Sequence, residues 1–390
     1  MSPISFSEKL KSSHYEYLLQ TSTNGFSNKI VSTIFKDGNI LLFRDKTHQP
    51  DLSVEELRKI TEQFHIKQRQ EFEFLFDFAL AVSEKTNYKL VELIGKAFIR
   101  KNLVDEAIHI FNSFLAHTRK ESSIFYYLGD ACLRKGDYQA AGEALQNAVM
   151  LEPDFADFHN KLGLTYLHQG ACSKALQEFE LAIKNNVYYA EAYYYLGLTY
   201  IKNAIVRDDY ALSVEMNKKV NHHLDYAIQL NPAYKREEFV EGMNAFHAEK
   251  YPEALTLLFK VLEEVVRPDP RILVENFYLK LIAPNSSIEV PLIWDYIKEL
   301  NGLIKNFPGY ADLYNDLGIA YCILGTYFQK ESVHYFEKAL QRNEKYFKAK
   351  KNQKLVLNEN RGLEYLVGSL LNLELDESAT EKRGLKIEFF

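Results

Sequence analysis

The chain has 390 residues, 47% of them apolar and 26% charged, the proportions of a folded protein with more chain than one simple core needs. Its formal net charge of -6 offers no general attraction to nucleic acid or to an anionic membrane, so neither is expected as a partner. Three widely spaced cysteines, Cys132, Cys172 and Cys322, form no CxxC pair and exclude a disulfide framework, pointing to reduced thiols.

Met1 to Leu10 carries no basic segment followed by an apolar run, and no apolar stretch reaches the roughly 18 residues of a membrane span. Membrane insertion is therefore not expected, and a cytoplasmic location follows by elimination. Between residues 14 and 45, "YEYLLQT", "KIVSTIF" and "NILLFRD" alternate as strands do, and Asn-Gly and Asp-Gly separate them. Such pairs favour hairpin turns, so residues 1–50 are predicted to form a small antiparallel β meander. Residues 51–87 read as a connecting helix. Ser53 with Glu56 three residues on makes a capping box, and Leu57, Ile60, Phe64, Leu75, Phe78 and Val82 form an apolar stripe.

From there the chain repeats itself. Gly95, Gly129, Gly163 and Gly197 follow one another at intervals of 34 residues. Twelve residues after the first three come Ala107, Ala141 and Ala175, and four further on Phe111, Leu145 and Phe179. Small residues at these places let two helices approach, the large ones fill the gap, and Glu152-Pro153 ends a helix. A single hairpin of this kind cannot bury its apolar face, so hairpins are predicted to stack into a solenoid.

The pattern resembles the tetratricopeptide repeat, whose unit carries an aromatic, Leu-Gly, an aromatic, Ala, Phe, Ala and Pro in order. Phe125, Leu128, Gly129, Ala141, Leu145, Ala148 and Pro153 supply it in one unit. Leu162, Gly163, Tyr166, Ala175, Phe179 and Ala182 supply it in the next. The unit from Ala190 has Tyr193, Leu196, Gly197 and Tyr200 and resumes with Leu224, Ala227 and Pro232, after an insertion of about three helical turns. The resemblance implies a mainly α fold, a solenoid over 88–345. Its clear repeats are 88–121, 122–155, 156–189, 190–234, 235–268 and 311–345, with a degenerate unit at 271–310 recognised by Leu300, Leu303 and Pro308. The 311–345 unit is expected to be a hairpin holding Tyr314, Leu317, Gly318, Tyr321, Phe336 and Ala339. Residues 346–390 are expected to cap the array with a polar helix and a tail.

No phosphate loop, HExxH, nucleophile elbow or paired metal-ligand motif is present in the sequence. His222 and His223 are adjacent, so on a helix they diverge and cannot chelate together. The basic residues from Arg342 to Lys354 read as the solvated face of a cap helix. No catalysis and no cofactor are therefore expected. The resemblance implies a protein-binding scaffold whose partner, a peptide or helix, lies in the concave groove. The family's ligand-facing positions fall on Tyr126, Asp130 and Arg134; on Asn160, Leu164, Leu167 and His168; and on Tyr194, Leu198, Ile201 and Lys202. Tyr126 and Asp130 stand where a carboxylate clamp of the family has Lys and Asn. Leu164, Leu167, Tyr194, Leu198 and Ile201 share one helical face and are expected to form an outward-facing apolar strip. The alternatives are that neighbouring repeats or the tail bury this strip, that the chain self-associates as a homo-oligomer through the solenoid, or, behind these, that the N-terminal region carries an enzymatic activity.

Overall fold

In the computed structural model the chain divides into two units, Met1–Arg267 and Pro268–Phe390. The structure describes residues 3–24, 27–83, 88–118, 120–264, 290–306, 311–342, 348–354 and 356–357. Pro308, residues 271–289 of the degenerate unit, Leu363 to Leu375 and the final "LKIEFF" lie outside the described residues.

The first unit opens with four strands rather than three: β1 (Ser5–Lys11), β2 (Glu16–Asn24), β3 (Lys29–Lys36) and β4 (Asn39–Thr47). They form one antiparallel sheet in chain order. Asp37 and Gly38 both take positive φ, 51° and 80°, in the β3–β4 turn, as a tight hairpin requires. Leu10, Tyr17, Leu19, Ile30 and Ile34 are buried on one face of the sheet against α1 (Val54–Ser83). The capping box at the start of α1 is formed: Ser53 Oγ and the Ser53 N–H both donate to Glu56 Oε2, at 2.7 and 3.0 Å. The sheet is bound to the helices that follow. Tyr17 donates to Glu106 Oε1 at 2.9 Å, and Glu71 bridges Arg44 and Lys101 at 2.7 and 2.5 Å.

Five helical hairpins complete the unit. They pair α2 (Tyr88–Arg100) with α3 (Val104–Leu115), α4 (Ser122–Lys135) with α5 (Tyr138–Leu151), and α6 (Ala156–Gln169) with α7 (Cys172–Asn185). Next come α8 (Ala190–Val206) with α10 (Met216–Leu230), and α11 (Glu237–His247) with α12 (Tyr251–Glu264). The 34-residue register is a register of contact. A Cβ placed on Gly95 would lie 2.0 Å from the Phe111 ring. On Gly129, Gly163, Gly197 and Gly242 it would lie 2.4, 2.8, 2.6 and 2.8 Å from Leu145, Phe179, Leu224 and Leu258. Each glycine therefore holds the two helices of its own hairpin together, and α4 and α6 end on the left-handed Gly136 and Gly170.

The insertion after Gly197 lengthens α8 and adds the short α9 (Tyr210–Ser213). Its carboxylates work for the preceding repeat. Asp208 accepts from the Ser173 N–H at 2.9 Å and Asp209 from Ser173 Oγ at 2.8 Å, capping α7, whose own N-cap residue Ala171 makes no side-chain cap.

Stacking is regular through α8: α3 packs on α4, α5 on α6 and α7 on α8. After that it changes, for α10 makes no comparable contact with α11, and α12 packs on α8 instead. The 3-10 turn Pro232–Tyr234 steers the chain there, with Tyr234 buried against Tyr194.

In the second unit, α13 (Val290–Asn306) packs on α14 (Ala311–Arg342) around Ile293, Ile297, Leu300, Ile319, Ile323 and Leu324. The hairpin expected at 311–345 is not formed, because α14 runs unbroken for 32 residues. Gly325 is the only glycine between Gly318 and Arg342, and the stretch holds no proline. One glycine costs about 1 kcal/mol against alanine, too little to end a helix that has other support. Tyr314 and Tyr321, core residues by the repeat register, are half exposed here, and a Cβ on Gly318 would meet nothing within 4 Å. No described helix is long and apolar enough to cross a membrane.

Candidate functional site

The first helices of successive repeats, α4, α6 and α8, carry all eleven groove residues named from the sequence, and the structure divides them into two sets. Those toward the C-terminal end are covered. Leu164, Leu167, Tyr194, Leu198 and Ile201 are all buried, in the same core as Ala254, Leu258 and Val261 of α12. Tyr194 Oη donates to the Leu258 carbonyl at 3.0 Å. Phe259 lies against the rings of Tyr195 and His168, at 6.4 and 5.6 Å between centroids. His168 also stacks on Tyr138 at 4.9 Å. Its desolvation, then the nearby Lys202, holds the imidazole below its ordinary pKa and so neutral. The outward-facing apolar strip expected from the sequence is thus corrected. An apolar helix does bury it, and that helix belongs to this chain. Three such side chains left in water would forfeit about 1.5–3 kcal/mol each, which accounts for the departure of the fifth hairpin from regular stacking.

The other set is polar, and of it only Arg134 stands well exposed, with Tyr126 partly so. Asp130 on α4 is only 9% exposed yet charged: Lys161 Nζ lies 2.7 Å from Oδ1 and Arg134 Nε 3.0 Å from Oδ2. Burial pushes the Asp130 carboxyl up, and the two cations outweigh it, leaving its pKa below the usual range. Burial likewise opposes the Lys161 charge, and Asp130 and Glu191 raise it above the ordinary lysine value. Tyr126 stacks on Phe158 at 5.0 Å, its phenol pushed far up by burial and then by the Asp130 charge. Asn160 is 1% exposed; its amide donates weakly to Glu191 at 3.4 Å, and its Oδ1 has no partner. Tyr189 donates to Asp157 at 2.5 Å.

Four members of this network, Lys161, Asp157, Tyr189 and Glu191, are absent from the sequence-derived set. A signal for two of them was present: Asp130 to Lys161 and Asn160 to Glu191 are both 31 residues apart, one repeat less about one helical turn. That spacing brings a residue beside the first helix of the next repeat. Among the described residues no group of three or more His, Cys, Asp or Glu could hold a metal. Cys132 and Cys172 are buried, their thiols pushed up by burial to about 11 and about 12, so neither is a poised nucleophile.

A family model described as "TPR repeat" matches residues 129–170, from the glycine of one hairpin to the left-handed glycine of the next. A tetratricopeptide repeat domain-containing chloroplast protein of Arabidopsis thaliana, PYG7, is 33% identical over 81 residues. The match takes in 20% of this chain and 27% of that protein's length. Among solved structures, MamA is similar at 24% identity and a TM-score of 0.36, over 43% of this chain and 93% of its own. YrrB, described as a TPR protein with an unusual peptide-binding site, is similar at 16% identity and a TM-score of 0.35, over 50% of this chain and 94% of its own. A tetratricopeptide repeat protein from Parabacteroides merdae covers 69% of this chain and 98% of its own at 16% identity and a TM-score of 0.34.

Proposed function

Because the chain is a tetratricopeptide-repeat protein, we propose that it acts as a protein-binding scaffold, holding an extended partner segment against the open polar half of its concave face. The observation that carries this reading is the state of Arg134. Its side chain is about half exposed, at 53%, and Asp130 engages Nε, which fixes the guanidinium while leaving the two terminal nitrogens for a ligand. A planar donor pair held this way suits a carboxylate or a backbone carbonyl. Tyr126, Lys161 and Glu191, each partly exposed, supply further hydrogen-bonding groups along the same face, over the buried Asn160. The partner is accordingly a segment bearing an acidic side chain, read through charge and hydrogen bonds. The apolar residues Leu164, Leu167, Tyr194, Leu198 and Ile201 support this face from beneath and do not touch the partner, while His168 and Lys202 flank it.

The test is affinity capture with the native chain beside Arg134→Glu, with bound proteins identified by mass spectrometry. The variant keeps Lys161 on Asp130, so it should stay folded by circular dichroism, with a lowered midpoint, and lose the acidic partners. A folded variant that captures the same proteins would overturn the reading.

A further inference from the structure

The long helix α14 carries a row of aromatic side chains that stand about half exposed among the described residues. Tyr314, Tyr321, Phe328 and Tyr335 are 50%, 48%, 51% and 62% exposed, and each is seven residues from the next. Between them, Gly318, Gly325 and Ser332 fall four residues after one aromatic and three before the next. The two rows thus form a single 4-3-4-3 seam, large residues at one heptad position and small ones at the other. A period of 3.5 is the spacing that keeps one helix facing another along its length. The buried residues Ile319, Ala320, Ile323 and Leu324 lie on the face toward α13, so α13 leaves the seam open.

We propose that this seam is a dimer interface in which α14 packs antiparallel on α14 of a second copy of the chain. The choice of occupant rests on self-complementarity. When the two helices run in opposite directions with Gly325 opposite Phe328, Tyr321 falls opposite Ser332 and Gly318 opposite Tyr335. Every pairing then sets an aromatic ring against a notch, on both sides of the two-fold axis. A parallel pair would put ring on ring and notch on notch. The polar groups fit as well. Ser332 Oγ already donates to the Phe328 carbonyl at 2.9 Å, so covering it strands no hydroxyl, and no charged side chain stands at a seam position from 314 to 335. Trp294 of α13, 46% exposed and edge-on to Tyr321 at 6.4 Å, widens the apolar strip. Five aromatics with about 100 Å² open on each give, over two copies, on the order of 1,000 Å², the lower bound of a specific interface.

Sedimentation velocity on the full chain over a wide concentration range tests this. The native chain should be dimeric, and Phe328→Glu should weaken dimerisation by about tenfold or more with an unchanged melting curve, since Phe328 is half exposed. Gly325→Gln fills the notch without harming the helix and should weaken it likewise. Arg134→Glu, which tests the groove, should leave the dimer intact. Orientation is read in a Cys322→Ser background. Gly318→Cys and Tyr335→Cys chains should crosslink when mixed, and neither should do so alone. A native chain that stays monomeric, a dimer indifferent to Phe328→Glu, or a monomer that Phe328→Glu destabilises because the chain's own residues cover the ring would each overturn the proposal.

Discussion

The same string of residue types occurs in α8 and in α14, with opposite consequences. Tyr193, Leu196, Gly197 and Tyr200 are matched by Tyr314, Leu317, Gly318 and Tyr321. In α8 the glycine is pressed by Leu224 and Tyr200 is 6% exposed; in α14 the glycine meets nothing and Tyr321 is 48% exposed. The motif therefore does not create a close approach by itself. It permits one, and a chain reversal must deliver the second helix. Between α8 and α10 the reversal is built from Arg207 in the left-handed region and an Asp208-Asp209 pair that caps α7. In α14 no residue of the helix takes positive φ, and the glycine's freedom goes unused.

The largest expected break in this comparison comes from charge. Leu198→Glu buries a carboxylate under α12, and should cost about 4 kcal/mol or more and unfold the first unit. The sequence alone predicts a folded variant here. A melting curve decides, and an unchanged midpoint would mean that α12 does not cover α8. Next come the glycines. Gly197→Val must displace Leu224 and should cost about 1–3 kcal/mol, read as a lowered urea midpoint. Gly318→Ala, compared within the Phe328→Glu chain so that no second copy fills the notch, should do the reverse, stabilising α14 by about 0.5–1 kcal/mol, since alanine loses less backbone freedom than glycine in a helix with open space around it. Equal and unfavourable effects at both positions would erase the distinction drawn above.

The smallest effect tests the regular repeats through pH. His159 is buried between Glu178 and the Pro153 carbonyl, both at 2.7 Å from its ring nitrogens. Burial opposes its charge, but these two acceptors outweigh it and raise the pKa above the ordinary value near 6.5. A group raised in the folded state stabilises fully below its unfolded pKa, and the contribution fades as pH climbs through the folded one. The urea midpoint should therefore fall between pH 6 and pH 8 in the native chain and fall less in His159→Gln. No comparable buried histidine pair is described in α13 or α14.

Local physics was legible in the sequence, and non-local physics was not. The glycine register, the capping box of Ser53 and Glu56 and the Asp37-Gly38 turn depend on residues within one hairpin or one turn, and each stands where the spacing put it. Strand β1 escaped notice because "SFSEKLK" sets Glu8 and Lys9 among its alternating residues, and what makes it a strand is pairing with β2. The open and covered halves of the groove could not be separated either. Asp130 and Arg134 share a helix, whereas the cover on Leu198 comes from α12, beyond the insertion and another turn. The hairpin expected within 311–345 does not form for the complementary reason: the motif is present, but no chain reversal follows it to deliver a second helix.

The fold-back of α12 also has a consequence in time. Contacts between successive repeats join residues about one repeat apart, such as Asp130 and Lys161 at 31, so the array can zip from any point by short loop closures. Tyr194 and Leu258 are separated by 64 residues, and closing that longer loop is entropically dearer and slower. Among the five hairpins, the fifth should accordingly dock last during folding. Under force applied from the C-terminal side of the unit it should release first, leaving four zipped hairpins behind it.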